Sequence, residues 1–233
     1  MVKDKTKKDI TRLKYTTYIA GPIEDAVNGG VGDPRAKIWD EFEYEREHAI
    51  LGIYEPILQE STKVGKEAGD HCQYIKGLKR GGWWDKFHKA MWSVWFGDIS
   101  PNADLLDVLM HLRRHKHIHG NKLYEFKFWG DTEAVTRSDF IIVYLPTKKI
   151  INGKEVPMTT VGTHWEIFLS ALLKIPVYLI LPDTTKTEAN STLLFGVGPL
   201  MSSGEVFYNI NDCTDYIRDK YNMKKQITKE EKK

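Results

Sequence analysis

Residues 139–145 read DFIIVYL, an apolar run of strand length that starts at an acidic residue and stops before Pro146. A short continuous run of β-branched and aromatic residues predicts a strand buried on both faces, as in a parallel sheet. Four further segments have strand character, and helical patterns separate them. The predicted strands are residues 15–20, 53–58, 139–145, 176–181 and 206–209, and the predicted helices are residues 33–51, 131–138, 163–173 and 212–221. This alternation predicts an α/β fold with an open parallel sheet and helices on both faces.

Local signals mark where some of these elements begin and end. Asp33 followed by Pro34 is typical of an N-cap and a first helical residue. Asn152-Gly153 predicts a tight hairpin turn between the DFIIVYL strand and the next helix. Gly81-Gly82 predicts a loop break within a helical region.

The charge-rich ends and a tryptophan-rich middle define the predicted domain organisation. Residues 1–14 and 223–233 are expected to be disordered tails, and residues 15–222 a single α/β domain. Within that domain, residues 60–122 interrupt the alternation and contain four of the seven tryptophans. We interpret this stretch as a helical insertion, because about 60 residues is thin for an independent core.

The composition excludes several classes of protein. The 34 Lys and Arg residues nearly balance the 32 Asp and Glu residues, which does not indicate a nucleic-acid-coating protein. Only Cys72 and Cys213 are present, which excludes a disulfide framework and a CxxC zinc site. No apolar run reaches the roughly 18 residues that cross a bilayer, and residues 1–14 lack the apolar core of a signal peptide. We therefore expect a cytoplasmic protein that does not bind membranes.

Three polar residues occur where an open parallel sheet would bind a ligand, beyond the carboxyl ends of its strands. Asp131 stands at a predicted helix start, Glu166 in the first turn of the following helix, and Ser191 after the 176–181 strand. Each also fits a helix cap, since Thr163 and Glu166 have capping-box spacing and Asp131 and Ser191 are common N-caps. The residues alone leave both interpretations open.

The functional interpretation depends on two carboxylates. A helix N-terminus favours an ionised carboxylate through its dipole and its free N–H groups. Such a carboxylate can attack the anomeric carbon of a sugar and form a covalent glycosyl intermediate. A second carboxylate can position the leaving group or carry its proton. Glu166 and Asp131 suit these two roles.

Three motifs follow one another along the chain: YIAGPI at residues 18–23, DTEAVTRSD at residues 131–139 and VGTHWE at residues 161–166. Together they resemble the opening strand and loop, the acid-bearing helix and the G-x-x-x-E helix of the nucleoside 2-deoxyribosyltransferase family. The resemblance implies a Rossmann-like α/β fold and cleavage of the N-glycosidic bond of (deoxy)nucleosides or their 5′-monophosphates. We also expect a small-molecule substrate and a homo-oligomer, and no metal or organic cofactor is implied.

The resemblance assigns roles to individual positions. Glu166 matches the nucleophile and Asp131 the supporting acid. The remaining matches are substrate-binding positions, in which Tyr18 corresponds to an aromatic residue near the nucleophile and Gln59 to a residue that contacts the base. The other positions of this set are Gly21, Pro22, Thr160, Gly162 and Ser191.

Two positions depart from the transferase pattern. The transferases have a second acid six residues before the nucleophile, where this chain has Thr160. The nucleotide-hydrolase branch has a hydroxyl residue there and a serine five residues before a late glycine, a spacing that Ser191 and Gly196 reproduce. That branch also has a serine where this chain has Pro22. Because hydroxyl groups can donate hydrogen bonds to a phosphate that a carboxylate would repel, we expect a 5′-phosphorylated substrate.

Two polar clusters have simpler interpretations. The glycines at residues 29–32 could cradle a phosphate, but they lack the P-loop and dinucleotide-binding patterns, so a plain loop is favoured. The pair His111 and His115 has a spacing that could ligate zinc, but no further ligand pair accompanies it. A solvated basic face, which also includes His117 and His119, is the favoured interpretation.

Tryptophans and cations alternate within the insertion. Trp83, Trp84, Trp92 and Trp95 lie near Lys79, Arg80, Lys86 and Lys89. This pattern could stack the bases of a single-stranded nucleic acid. Aromatic residues at helical spacing more often form a core or an oligomer interface. We therefore expect an oligomer contact or a lid that does not bind nucleic acid tightly. A non-catalytic nucleotide-binding module remains the other alternative for the whole chain.

Overall fold

The structure is a computed structural model. It describes residues 13–21, 34–54, 74, 77–96, 100, 102–104, 106, 110, 131–146, 148–151, 153–157, 161–183 and 202–223.

A parallel five-stranded sheet lies at the centre of the described residues. The strands of the chain are β1 (Tyr15–Ala20), β2 (Leu51–Tyr54), β3 (Phe140–Tyr144), β4 (Lys148–Ile151), β5 (Lys154–Pro157), β6 (Val177–Ile180) and β7 (Glu205–Phe207). The sheet has the order β2-β1-β3-β6-β7, and every neighbouring pair in it is parallel. The DFIIVYL run supplies the middle strand, β3, which confirms the predicted α/β class with a parallel sheet. Strands β4 and β5 form a separate antiparallel hairpin, and Gly153 makes its turn with a φ of +75°.

Helices cover both faces of this sheet. They are α1 (Pro34–Glu41), α2 (Glu43–Glu47), α3 (Trp84–Phe96), α4 (Asp131–Arg137), α5 (Val161–Leu172) and α6 (Ile210–Lys220). Successive side chains of a strand point to opposite faces. Accordingly, Ile141 and Val143 pack in a cluster with residues of α4 and α5, whereas Phe140 and Ile142 pack in a second cluster with residues of α1 and α6.

The predicted helix at residues 33–51 is wrong in its length. Helix α1 begins at Pro34 as expected, but it ends at Glu41, and α2 follows after Phe42. The side chain of Phe42 is fully buried in the second cluster. The Arg218 guanidinium, from α6, lies over its ring and donates to the carbonyl oxygen of Glu41. Tertiary contacts therefore break a segment that its local pattern predicts as continuous.

The second strand is also displaced from its predicted position at residues 53–58. Strand β2 occupies Leu51–Tyr54, where it pairs in register with Tyr15–Tyr18 of β1. The remaining predicted strand residues, 55–58, lie outside the described residues. The chain can enter β2 at residue 51 because Ala49 adopts a left-handed φ of +56°, which turns it out of α2.

Gly204 allows β7 to pair closely with β6. A Cβ at this position would lie 1.9 Å from the carbonyl oxygen of Val177, inside any possible contact. The backbone atoms of β6 occupy that space, so no side-chain movement can relieve the overlap. The edge of the sheet therefore depends on the absence of a side chain at this residue.

The hydroxyls of the buried Tyr178 and the half-buried Tyr221 lie 3.0 Å apart at the second cluster. Burial raises the pKa of both phenols above the ordinary value of about 10. The folded state therefore holds both protons at a pH where the unfolded chain loses them. This contribution to stability is fully present below about pH 10 and is lost as the pH rises above that value.

We expect the double variant Tyr178→Phe/Tyr221→Phe to lose less stability than the wild type between about pH 9 and pH 11. This range brackets the pKa of about 10 of a tyrosine in the unfolded chain. Removing both hydroxyls together leaves neither oxygen buried without its partner. Urea unfolding at a series of pH values measures the effect, and the exposed Tyr74→Phe serves as the control. Parallel pH profiles for the double variant and the wild type would show that these two hydroxyls do not cause the loss of stability at high pH.

Candidate active site

Strands β1 and β3 are neighbours in the sheet. The chain adds β2 on one side of β1 and the later strands on the other side, so the strand order reverses between β1 and β3. Ligands of open parallel sheets bind in the crevice outside the carboxyl ends of the strands at such a reversal. Strand β1 carries Tyr18 in its carboxyl-terminal half, level with Ile141 of β3. A ligand site is therefore expected beside Tyr18.

Tyr18 and Glu166 meet in a buried hydrogen bond. The Tyr18 hydroxyl donates to Oε1 of Glu166 over 2.8 Å, across 148 residues of sequence. Each residue is only 5% exposed. An O–H donor stabilises the charged form of a carboxylate. The Tyr18 hydroxyl thus fixes the Glu166 carboxylate near the point where the strand order reverses.

Glu166 does not cap its helix. Helix α5 begins at Val161, so Glu166 is its sixth residue and lies in the second turn, not in the first as expected. Thr163 is a buried residue inside the same helix and cannot be its N-cap. The capping-box interpretation is therefore wrong. The location of Glu166 instead follows from its contact with Tyr18.

Asp131 is the first residue of α4 and is 9% exposed. Helix α4 contacts both β1 and α5, the two elements that carry Tyr18 and Glu166. The position agrees with the predicted helix start. The fold therefore brings the helix of the predicted supporting acid beside the elements of the predicted nucleophile.

Thr132 is a candidate that the sequence analysis missed. Its side chain is 1% exposed, and its hydroxyl oxygen has no hydrogen-bond partner among the described residues. Buried polar groups are normally hydrogen-bonded, so this hydroxyl is a candidate to bind a ligand. No sequence signal distinguishes it from other helical threonines. By contrast, Thr136 in the same helix donates to the carbonyl oxygen of Thr132.

Gly21 lies where β1 ends and the backbone must approach its neighbours closely. A Cβ at Gly21 would be 3.0 Å from Cδ of Arg35 and 3.3 Å from the carbonyl oxygen of Tyr144. The carboxyl ends of β1 and β3 are thus tightly packed beside the buried Arg35. Gly162, the other described glycine of the predicted set, is the second residue of α5.

Asp139, which closes the DTEAVTRSD motif, has a structural role at the opposite end of the strands. Its Oδ2 accepts from the backbone N–H of Thr16 over 2.9 Å and from the Thr16 hydroxyl over 3.2 Å. Its own N–H donates to the carbonyl oxygen of Thr16. These bonds fix the start of β3 against β1, so the carboxyl group of Asp139 stabilises the frame of the site without forming part of it.

The other predicted positions lie outside the described residues. They are Pro22, Gln59, Thr160 and Ser191, together with the glycines at residues 29–32 and the histidines His111, His115, His117 and His119.

Among the residues that the structure describes, no three or more His, Cys, Asp or Glu side chains cluster as a metal site. Within the same residues, no helix combines the length and the apolar character needed to cross a membrane.

Cys213, the one cysteine within the described ranges, is fully buried in the second cluster, whereas Tyr18 packs in the cluster on the other face of the sheet. Burial raises the pKa of its thiol. A thiol kept protonated in an apolar environment is inert as a nucleophile. The candidate chemistry therefore belongs to the carboxylates.

Tyr18, Glu166 and the helix of Asp131 thus form the candidate active site. Comparisons of this chain with protein-family models, with curated proteins and with solved structures found no match.

Proposed function

We propose that this protein cleaves the N-glycosidic bond of a (deoxy)nucleoside or a nucleoside 5′-monophosphate, with Glu166 as the nucleophile. With water as the acceptor it acts as a hydrolase, and with a free base it acts as a 2-deoxyribosyltransferase. The fold proposed with this activity is the Rossmann-like α/β fold with a helical, tryptophan-rich insertion. The substrate is a small molecule, and the reaction uses no metal or organic cofactor.

The observation that carries the proposal is the buried hydrogen bond from Tyr18 to Glu166. A buried carboxylate is costly unless it is hydrogen-bonded, and it is retained where its charge is useful. The Tyr18 hydroxyl donates to Oε1 and so fixes the carboxylate that attacks the sugar. The strand reversal beside this pair is where a ligand of such a sheet binds.

The reaction has two steps. In the first, Glu166 attacks the anomeric carbon, the carbon–nitrogen bond breaks, and its electron pair leaves with the base, which takes a proton from Asp131. In the second, water gives a proton to Asp131 and attacks the same carbon, so that the sugar–carboxylate ester breaks and Glu166 is restored. A free base that attacks instead of water completes a transfer.

The test is product analysis after incubation with a panel of nucleosides and their 5′-monophosphates. Release of free base from at least one member supports the proposal. Each nucleoside is matched with its monophosphate, so kcat/KM for the two also tests the expected preference for a 5′-phosphate. If no panel member releases base but some bind, the chain is a non-catalytic nucleotide-binding module.

Tyr18→Phe is expected to lower kcat/KM without abolishing turnover. It removes one hydrogen bond to a charged group, worth about 1.5–3 kcal/mol, which corresponds to roughly 10- to 100-fold. The ring itself remains, so the packing of the first cluster is kept. Steady-state kinetics on the best panel substrate measures the effect.

Tyr15→Phe is the matched control, because Tyr15 lies on the same strand and packs against the opposite face of the sheet. Its kinetics should equal those of the wild type. An unchanged rate for Tyr18→Phe would show that the hydroxyl does not act on the reacting carboxylate.

A further inference from the structure

We propose that the described part of the insertion carries a binding surface for single-stranded nucleic acid. The surface consists of Trp83 and Trp84 with the exposed cations of residues 79–89, of which Lys86 lies over the Trp83 ring, and we call it the Trp–Lys surface. Its cations are Lys79, Arg80, Lys86 and Lys89. This surface is separate from the proposed glycosidase site, and its function does not depend on that proposal.

The two tryptophans are exposed, so of the expected alternatives they belong to a surface and not to a core. Trp83 is 59% exposed and Trp84 is 52% exposed. Indole side chains are normally among the most buried on average. Two adjacent indoles that face solvent indicate a surface for a partner.

The backbone before α3 holds Trp83 in place. Gly82 has a φ of +71° and its N–H donates to the carbonyl oxygen of Lys79, while the Trp83 N–H donates to that of Leu78. This pair of bonds is the Schellman arrangement that ends a helical turn. Trp83 therefore has a fixed backbone, and little conformational entropy is lost when its ring contacts a ligand.

Neighbouring side chains orient both rings. The Lys86 ammonium lies 4.9 Å from the centre of the Trp83 ring. The Trp84 ring meets Phe87 edge-on, with 5.8 Å between ring centres. A Cβ at Gly81 would lie 2.7 Å from Cδ1 of Trp83, so the turn backbone approaches this indole closely. The surface thus presents two supported aromatic rings.

The opposite side of this region is the packed side. Leu78 and Ala90 are buried together, and Phe87 and Met91 pack against them. Helix α3 also contacts α4. Because the apolar face of α3 is used inside the protein, it does not lie free as the face of a membrane-surface helix would. Trp83 and Trp84, which are exposed, are therefore available to contact a partner.

The exposed charges of this stretch favour one kind of partner. Between residues 77 and 89, the exposed charged side chains are four cations and one anion, Asp85. The near balance of charge in the whole chain therefore hides a local positive excess. Aromatic rings that stack bases, combined with cations that contact phosphates, are the features that bind single strands. A duplex cannot offer its base faces to these rings, so the surface fits an unpaired strand.

Fluorescence anisotropy tests the proposal, with the full chain and a labelled single-stranded oligothymidine of about 12 nucleotides. We expect a Kd of roughly 1–100 µM at physiological salt, which weakens as salt rises. Trp83→Ala and Trp84→Ala should each weaken binding roughly 5- to 100-fold. Lys86→Glu with Lys89→Glu should weaken binding and also reduce its salt dependence.

Two variants serve as matched controls. Phe168→Ala removes an exposed aromatic ring from α5, and Lys37→Glu reverses an exposed charge on α1. Both should bind the oligonucleotide as the wild type does. The proposal is overturned if the wild type shows no binding, if a duplex of equal length binds as tightly, or if the tryptophan variants bind normally. Binding to phosphatidylserine vesicles in place of the oligonucleotide would identify a membrane surface instead and would also overturn it.

Discussion

Glu166→Gln is expected to reduce turnover by roughly 10³- to 10⁶-fold while the protein remains folded. The substitution replaces one carboxylate oxygen by an amide nitrogen, so the side chain keeps its volume and an oxygen that can accept from the Tyr18 hydroxyl. It loses the negative charge that attacks the anomeric carbon. Single-turnover kinetics measure the loss, and circular dichroism with urea unfolding measures the fold.

Glu205→Gln is the matched control, because Glu205 is an exposed glutamate at the start of β7. It should keep wild-type kinetics. The loss in Glu166→Gln should also exceed the loss in Tyr18→Phe, since one removes the nucleophile and the other only a hydrogen bond to it. Wild-type turnover in Glu166→Gln would exclude this residue as the nucleophile.

Arg218→Met is expected to destabilise the protein by about 3–5 kcal/mol, because it leaves a buried charge without its partner. Nε of Arg218 donates to Oε1 of Glu45 over 2.7 Å, and Glu45 is fully buried. Burial alone would lower the pKa of Arg218, but its bonds with Glu45 and Asp215 hold the pKa above its ordinary value. The same guanidinium connects α6 to the break between α1 and α2. Urea unfolding at neutral pH measures the change in the free energy of unfolding.

A second variant separates the ion pair from packing. Glu45→Gln combined with Arg218→Met removes both charges, so its stability should lie closer to the wild type than that of Arg218→Met alone. An exposed ion pair contributes less than about 1 kcal/mol to the free energy of unfolding, so Arg218→Met would lose no more than that if its pair with Glu45 behaved as an exposed one. Such a small loss would show that the contact does not hold the helices together.

The elements that sequence predicted well are those whose signal is local. The DFIIVYL strand is buried on both faces, and a continuous apolar run reports that condition directly. The turn at Gly153 and the helix start at Pro34 follow from backbone preferences of single residues. These signals do not depend on the rest of the fold, so the structure reproduces them.

The errors arise where tertiary contacts decide. Nothing near Phe42 in sequence predicts that Arg218, from the end of the chain, accounts for the break after α1. Helix α5 begins at Val161, two residues before the predicted start, so Glu166 lies in its second turn and not in its first. Helix ends depend on contacts beyond the local pattern. The pattern of Trp83 and Trp84 left open a core or an interface, and only the folded structure shows that both rings are exposed.

The site shows the same division. Glu166 and Asp131 stand out by residue type and by position after predicted strands, so sequence could suggest both. The partnership between Tyr18 and Glu166 joins residues 148 positions apart and follows only from the order of the strands. Thr132 has no local signal at all, since only burial distinguishes it from other threonines.

The central claim is that Glu166 becomes covalently bound to the sugar. The most direct measurement is mass spectrometry of the protein, quenched with acid during turnover of the best panel substrate and then digested. The account predicts that the peptide containing Glu166 gains the mass of the sugar, or of the sugar 5′-phosphate, and that Glu166→Gln shows no such adduct. Release of base with no adduct in the wild type, or with an adduct on another residue, would contradict it.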